Sequence, residues 1–187
     1  MYSFRNDYSE GAHPKVLQAL ADTNLRQTVG YGMDPCCQAA ADTIRRLCAA
    51  PDAAVHFLVG GTQVNLVTID AFLQSYEAVV AAQTGHVSTH ETGAIEATGH
   101  KVCTVESPDG KLTPALVESV LAGHNGTEHM VLPRMVYISD TTEIGTVYTR
   151  AELAALRQCC DVHGLFLYLD GARLGSALTS PDNDLTL

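Results

Sequence analysis

An aspartate and an arginine stand three residues apart where the apolar run LFLYLDGARLGSAL, at residues 165–178, is interrupted. A continuous apolar run after a helical pattern is typical of a strand buried on both faces of a parallel sheet, with Asp170 at its carboxyl end. Open α/β sheets bind ligands at that edge. If a helical turn follows Gly171, Asp170 and Arg173 point the same way. They then form either a contact for a ligand carrying both signs of charge or a salt bridge that closes the strand end.

Two further groups of residues have types suited to chemistry. Gly61 and Thr62 open a predicted helix directly after a predicted strand, so their amides and the hydroxyl suit a phosphate, with a plain tight turn as an equal alternative. His86, His90 and Glu91 have zinc-ligand types, but the neighbouring Ser, Thr and Gly do not favour the helix that zinc would need. A structural or ring-stacking role for a histidine is the better interpretation.

These residues must be positioned by strands that alternate with helices. Apolar, β-rich runs predict strands at 54–59, 77–82, 100–106, 135–139 and the run ending at Asp170. Helical spacing with capping residues predicts helices over 14–21, 35–50, 62–73, 114–122 and 149–163. The alternation predicts an α/β fold, a mostly parallel sheet sandwiched by helices, in a single domain over 1–187 with a polar N-terminal arm at 1–11.

Composition excludes several classes of protein. The net charge is −10, from 21 acidic and 11 basic residues, so no basic patch favours nucleic acid or anionic membranes as partners. No apolar stretch is long enough for a membrane span, and the first residues do not resemble a secretion signal. The six cysteines include no CxxC pair, which favours reduced, mostly buried thiols. We therefore expect a cytoplasmic protein.

Taken in chain order, the candidate groups match the needs of pyridoxal 5'-phosphate. The glycine-rich turn suits its phosphate, and an imidazole such as that of His86 can lie on its ring. A carboxylate at the pyridine nitrogen keeps that nitrogen protonated, so that the ring accepts electrons from the substrate Cα. An arginine can bind the phenolic oxygen or a substrate carboxylate. We therefore predict pyridoxal phosphate as the cofactor.

The motifs FRND, YGMDP, GGTQVN, GHVSTHETG and LDGARL also occur here in one order and at characteristic spacings. The chain thereby resembles the L-threonine aldolase and β-eliminating lyase group of fold-type-I pyridoxal phosphate enzymes. The resemblance implies their large domain without the C-terminal small domain. It implies Gly61 and Thr62 at the phosphate, His86 stacked on the ring, Asp170 at the pyridine nitrogen, and Arg173 near the phenolic oxygen and the substrate carboxylate.

Three features depart from the family pattern. Asn6 stands where many members have a serine that touches the substrate carboxylate. His129 lies near, but not in register with, the histidine that some aldolases use on the substrate hydroxyl. The family lysine that forms a Schiff base with the cofactor follows LDGAR after a further segment, whereas the lysines of this chain are Lys15, Lys101 and Lys111, all predicted to be solvated.

The resemblance implies a pyridoxal-phosphate-dependent lyase of the threonine aldolase type, which cleaves a β-hydroxy amino acid to glycine and an aldehyde. The missing lysine implies that this truncated chain is inactive. The alternatives are β-elimination, or a non-catalytic fragment that binds the cofactor or a phosphate or assembles with a full-length relative. The family also implies a homo-oligomer, dimer or tetramer, with the segment VGYGMDP at 29–35 reaching a neighbouring subunit.

Overall fold

A computed structural model describes residue 3, residues 5–124 and residues 126–187 of the chain. The predicted arm at 1–11 and the motif FRND therefore lie partly outside the described residues, since Met1, Tyr2 and Phe4 are not among them. The chain divides into two compact units, Met1–Phe57 and Leu58–Leu187. Each unit is described by itself.

The first unit contains two helices, α1 (Pro14–Thr23) and α2 (Pro35–Leu47), as the sequence predicts. A proline opens each helix, where its missing N–H costs nothing. The carboxylate of Asp34 caps α2 by accepting hydrogen bonds from the N–H groups of Cys36 and Cys37. Residues 54–59, predicted as a strand, form no regular element, because no described strand pairs with their backbone.

The second unit is built on a four-stranded parallel sheet with the order β2-β1-β3-β4. Its strands are β1 (Glu77–Ala82), β2 (Lys101–Val105), β3 (Leu132–Ser139) and β4 (Phe166–Asp170). Every residue of β1 is buried, so β1 is the strand that the core encloses. The prediction that the strand ending at Asp170 is buried on both faces is wrong. Among the described strands β4 lies at an edge of the sheet, and its residues are half-buried or exposed.

Helices cover both faces of this sheet, which confirms the predicted α/β sandwich. They are α3 (Gly61–Phe72), α4 (His86–Thr89), α5 (Ala94–Ala97), α6 (Pro114–Ala122), α7 (Arg150–His163) and α8 (Leu174–Leu178). One apolar cluster packs α6 and α7 against Val80 and Val136, and the other packs α3 and α5 against Val79 and Tyr137. Neighbouring strand residues thus point to opposite faces. None of the described helices is both long and apolar enough to cross a membrane.

The strand order creates a crevice at the carboxyl ends of β1 and β3. The chain leaves β1 towards β2 on one side, and the next strand, β3, pairs with β1 on the other side. Connections that diverge in this way leave space between the two strand ends, where α/β proteins bind ligands. His86 follows β1, and Asp170 ends β4 beside Ser139 of β3.

Helix α7 shows the local signals that the sequence predicts. Thr149 and Glu152 form a capping box at its start. Gly164 ends it in the left-handed conformation, with φ of 64°. Such a residue satisfies the last helical carbonyls and avoids the steric cost that a side chain would bring.

We expect Gly164→Ala to lower the free energy of unfolding by about 1 kcal/mol, because alanine is strained in the left-handed region. The matched control is Gly123→Ala, which changes the residue that ends α6 at an ordinary φ of −75°. We expect this control to leave stability unchanged or slightly raised. Urea unfolding followed by circular dichroism measures both variants. Equal losses in the two would contradict the conformational explanation.

Candidate active site

A buried amide joins two carboxylates below the crevice. Asn65 lies on α3 and is only 2% exposed. Its Nδ2 donates to Glu91 Oε1 at 2.6 Å and to Asp170 Oδ2 at 3.0 Å. The hydroxyl of Tyr168 donates to Asn65 Oδ1 at 2.5 Å. The amide therefore uses both of its N–H groups on acids and its oxygen on a phenol, which fixes its orientation.

Asp170 is held by neutral donors at the end of β4. Besides the amide of Asn65, the hydroxyl of Tyr137 donates to Oδ2 at 2.7 Å, and the N–H of Ala172 donates to Oδ1 at 2.9 Å. Burial, and the nearby negative charge of Asp170, raise the pKa of Tyr137 well above its usual range. Burial also raises the pKa of Tyr168 to about 12. Both phenols therefore stay protonated and remain donors at neutral pH.

His86 is placed by a tight turn after β1. Gly85 precedes it, and a Cβ at that glycine would lie 3.0 Å from the carbonyl oxygen of Ala82. The backbone N–H of His86 donates to Glu143 Oε1 at 2.8 Å, and the hydroxyl of Ser139 donates to the same oxygen at 2.6 Å. These bonds connect the segments that follow β1 and β3 across the crevice.

The imidazole of His86 contacts a second acid. Its Nδ1 lies 2.8 Å from Glu91 Oε1, and the Glu91 side chain is fully buried. The ring of His90 stacks on that of His86, with centroids 5.5 Å apart. The His86 side chain is 38% exposed, so its ring is still open to a ligand.

The structure brings two predicted site residues into one network, in which contacts run from His86 through Glu91 and Asn65 to Asp170. Gly61 opens α3 four residues before Asn65, on the same face of the helix. Thr62 follows Gly61 in the same exposed first turn, and no side chain caps it. Arg173 is half-buried directly before α8, three residues after Asp170.

One other predicted site residue of the second unit, His129, is not brought to this network. His129 is exposed in the turn that precedes β3, at the amino end of the sheet. The eight residues of β3 span roughly 25 Å, so His129 is remote from Ser139 at the carboxyl end. Asn6 belongs to the first unit, where its Oδ1 accepts hydrogen bonds from the backbone of Tyr8 and the hydroxyl of Ser9.

The zinc hypothesis gains no support from the geometry. His86 turns its Nδ1 towards Glu91, whereas His90 turns its Nδ1 towards Thr89 Oγ1 at 2.6 Å. Within the described ranges, the group of three potential metal ligands whose atoms all lie within 4.8 Å of one another consists of Glu118, Cys159 and His163. Those residues lie on α6 and α7, outside the network.

The two lysines of the second unit also lie outside the network, and the third, Lys15, belongs to the first unit. Lys15 is exposed on α1 of the first unit, and Lys101 is exposed at the amino end of β2. Lys111 is not solvated as predicted, because its Nζ lies 2.5 Å from Glu152 Oε1 and its side chain is only 15% exposed. An ammonium group held by a carboxylate is a poor nucleophile.

Sequence reasoning missed the residues that hold the network together. Tyr168 lies two residues before Asp170, so strand alternation places both side chains on one face. Tyr137 pairs with Tyr168 in the register of β3 and β4. Asn65 is a polar residue between apolar ones in a helix, four positions after Gly61. The sequence pattern suggests Glu91 only as a metal ligand.

Comparisons with known proteins identify the family of this chain. The family model described as "Beta-eliminating lyase" matches residues 4–186. A low specificity L-threonine aldolase from Pseudomonas sp. (strain NCIMB 10558) is 37% identical over 93% of this chain, and the yeast Saccharomyces cerevisiae has one that is 28% identical over 92%. A solved structure of Leishmania major threonine aldolase is 58% identical over the whole chain, with a TM-score of 0.97.

The matches also define how much of each relative the chain represents. It covers 50% of the Pseudomonas protein, 44% of the yeast protein and 54% of the Leishmania chain. The chain therefore spans about half the length of these relatives.

We expect Asn65→Leu to lower the free energy of unfolding by about 3 kcal/mol, because two carboxylates and a phenol lose their partner while the branched shape of the side chain is kept. Tyr168→Phe removes a single hydroxyl from the same network, so its cost should be about 1 kcal/mol. Urea denaturation of both variants against the parent provides the measurement. A loss no larger for Asn65→Leu than for Tyr168→Phe would show that Asn65 does not hold the two acids.

Proposed function

Because this chain belongs to the beta-eliminating lyase family, we propose that it forms part of an amino-acid lyase of the threonine aldolase type. Such an enzyme cleaves a β-hydroxy amino acid to glycine and an aldehyde. The observation that carries the proposal is the continuous set of contacts from His86 through Glu91 and Asn65 to Asp170, at the carboxyl edge of a parallel sheet.

The family depends on pyridoxal phosphate, which supplies an electron sink for negative charge at the substrate Cα. The residues present fit this cofactor. A Cβ at Gly61 would meet no atom within 4 Å, so there is space at the uncapped start of α3, where amides and the helix dipole favour a phosphate. Asp170, which accepts a hydrogen bond from Asn65 one turn further along α3, provides a carboxylate for the pyridine nitrogen.

Each side chain then has a stated role in the proposal. Asp170 holds the proton on the pyridine nitrogen, and Tyr137 and Asn65 both donate to its Oδ2 and thereby orient the carboxylate. His86 covers the ring face. Gly61 and Thr62 bind the phosphate. The guanidinium of Arg173 binds the phenolic oxygen and the substrate carboxylate.

Asn6 takes the remaining contact to the substrate carboxylate in this proposal. Its exposed amide has N–H groups that can donate to a carboxylate, so it can replace the serine hydroxyl found in many relatives. His129 is not included, because its place before β3 separates it from the carboxyl edge of the sheet.

Two alternatives have support of their own. The family model's name favours β-elimination, in which a leaving group departs from Cβ and ammonia is finally released. A non-catalytic cofactor-binding fragment or assembly partner is the alternative for these 187 residues alone, since Lys101 and Lys111, the lysines of the second unit, lie outside the network. Incubation of the full-length protein with L-threonine, followed by assay of acetaldehyde and ammonia, distinguishes the chemistries. Acetaldehyde with glycine supports the aldolase, whereas ammonia without acetaldehyde would exclude it.

In the full-length protein we expect Asp170→Asn to reduce turnover by about 100-fold or more, because an amide cannot neutralise a protonated pyridine nitrogen. The absorbance of bound cofactor, measured after gel filtration, should also fall. The control is Asp161→Asn, which changes an exposed aspartate paired with Arg157 on α7. Undiminished turnover in a folded Asp170→Asn protein would rule out the role given to Asp170.

We further propose a homo-oligomer, dimer or tetramer, as the functional form. Within the segment 29–35 of the first unit, Val29, Tyr31 and Met33 are each more than 60% exposed, and exposed apolar groups of this kind favour association. We expect light scattering of the full-length protein to show a dimer or tetramer. On dilution, the double variant Tyr31→Ser, Met33→Ser should dissociate at a higher protein concentration than the parent does. A monodisperse parent monomer at all concentrations would contradict the proposal.

A further inference from the structure

We propose that Glu91 is a positioning residue that keeps the proton of His86 on Nδ1, so that Nε2 is the unprotonated nitrogen of the neutral ring. The inference deepens the proposed function, in which His86 covers the cofactor ring. It rests on the contacts of one buried carboxylate and not on any property of the bound cofactor.

The first step is the orientation of the amide that contacts Glu91. Asn65 turns one end towards two carboxylates, Glu91 and Asp170, and the other towards the hydroxyl of Tyr168. Carboxylates only accept hydrogen bonds, so the end that faces them must be the NH₂ group. Exchange of the amide nitrogen and oxygen would point a carbonyl at two acids. Glu91 Oε1 is therefore an acceptor in this network.

The second step concerns the short contact between Glu91 and His86. Glu91 Oε1 and His86 Nδ1 lie 2.8 Å apart, so one proton must lie between them. An imidazole is ordinarily more basic than a carboxyl group by about two pKa units. The proton therefore belongs to Nδ1 of His86. The other ring nitrogen, Nε2, then carries no proton in the neutral ring.

The third step is that few other contacts compete for Glu91. Its side chain is fully buried, and Oε2 has no hydrogen-bond partner among the described residues. The carboxylate is thus anchored through Oε1, by Asn65 on one side and by His86 on the other. A buried acid in this position has a strong energetic preference for an N–H donor, which holds the His86 ring in place.

A second carboxylate fixes the backbone of the same residue. Glu143 accepts a hydrogen bond from the N–H of His86, and the hydroxyl of Ser139 holds Glu143. Main chain and ring are therefore held independently, and Glu91 acts on the ring alone. Replacement of Glu91 should therefore remove the tautomer preference of His86 without displacing the backbone turn that precedes it.

The test is a long-range proton–nitrogen correlation spectrum of the full-length protein labelled with ¹⁵N-histidine, without added cofactor. Spectra are recorded at pH 9, where an ordinary imidazole is neutral. A His86→Gln variant identifies the signals of His86. We expect the parent to show the Nδ1–H tautomer.

Three variants distinguish positioning from a general structural role. Glu91→Leu should lose the Nδ1–H preference and show a mixture of tautomers. Glu91→Gln should retain it, because the carbonyl oxygen that accepts from Asn65 also faces Nδ1. Glu96→Leu, an exposed acid on α5, should resemble the parent.

An Nε2–H tautomer in the parent would overturn the inference even if every Glu91 variant failed to fold. So would an unchanged Nδ1–H signal in folded Glu91→Leu. Failure of the proposed function is separate, because it appears as a parent protein that binds no pyridoxal phosphate by absorbance. The tautomer spectrum does not depend on that result.

Discussion

The arrangement of the site depends on the buried amide of Asn65 between two acids. Carboxylates brought together out of water lose hydration and repel each other, so an uncompensated pair is costly. An amide nitrogen has two N–H groups in one plane, and here each is directed at a different carboxylate. Because the hydroxyl of Tyr168 holds the other end of the amide, the positions of Glu91 and Asp170 are set together. The position of the His86 ring is then set by its contact with Glu91.

The sheet order explains why residues so distant in the chain meet at this amide. Asn65 is 105 positions from Asp170 and 26 from Glu91. Asn65 lies on α3, Glu91 follows β1, and Asp170 ends β4. Parallel strands send all their carboxyl ends to one edge, and the reversal between β2 and β3 opens that edge beside β1. Helix α3 packs on the apolar side chains of β1 and β3 and carries Asn65 to that edge. Packing of the core therefore determines the chemistry of the edge.

Much of this fold could be predicted from local patterns. The limits of β1 agree with the apolar run at 77–82, and α7 begins and ends at its predicted capping residues, because those signals are local. The edge position of β4 could not be predicted, since an apolar run does not encode the order of strands. The burial of Lys111 in an ion pair could not be predicted for a similar reason, because its partner Glu152 lies 41 residues away. His86 and Asp170 carried recognisable motifs, whereas Asn65 and Tyr137 acquire their roles only through tertiary contacts.

The charges of the site restrict the ligands that it accepts. Glu91 and Asp170 place two acids around one amide, so the ligand atom beside Asp170 should be a cation or a protonated nitrogen. A phosphate is favoured only at the first turn of α3, where uncapped amides offset its charge, and this turn lies on the Asn65 side of the helix. The fitting ligand is therefore bipolar, with a protonated ring nitrogen at one end and a phosphate at the other. A nucleotide with several adjacent phosphates would bring negative charge towards Asp170, which supports a pyridoxal phosphate site over a nucleotide site.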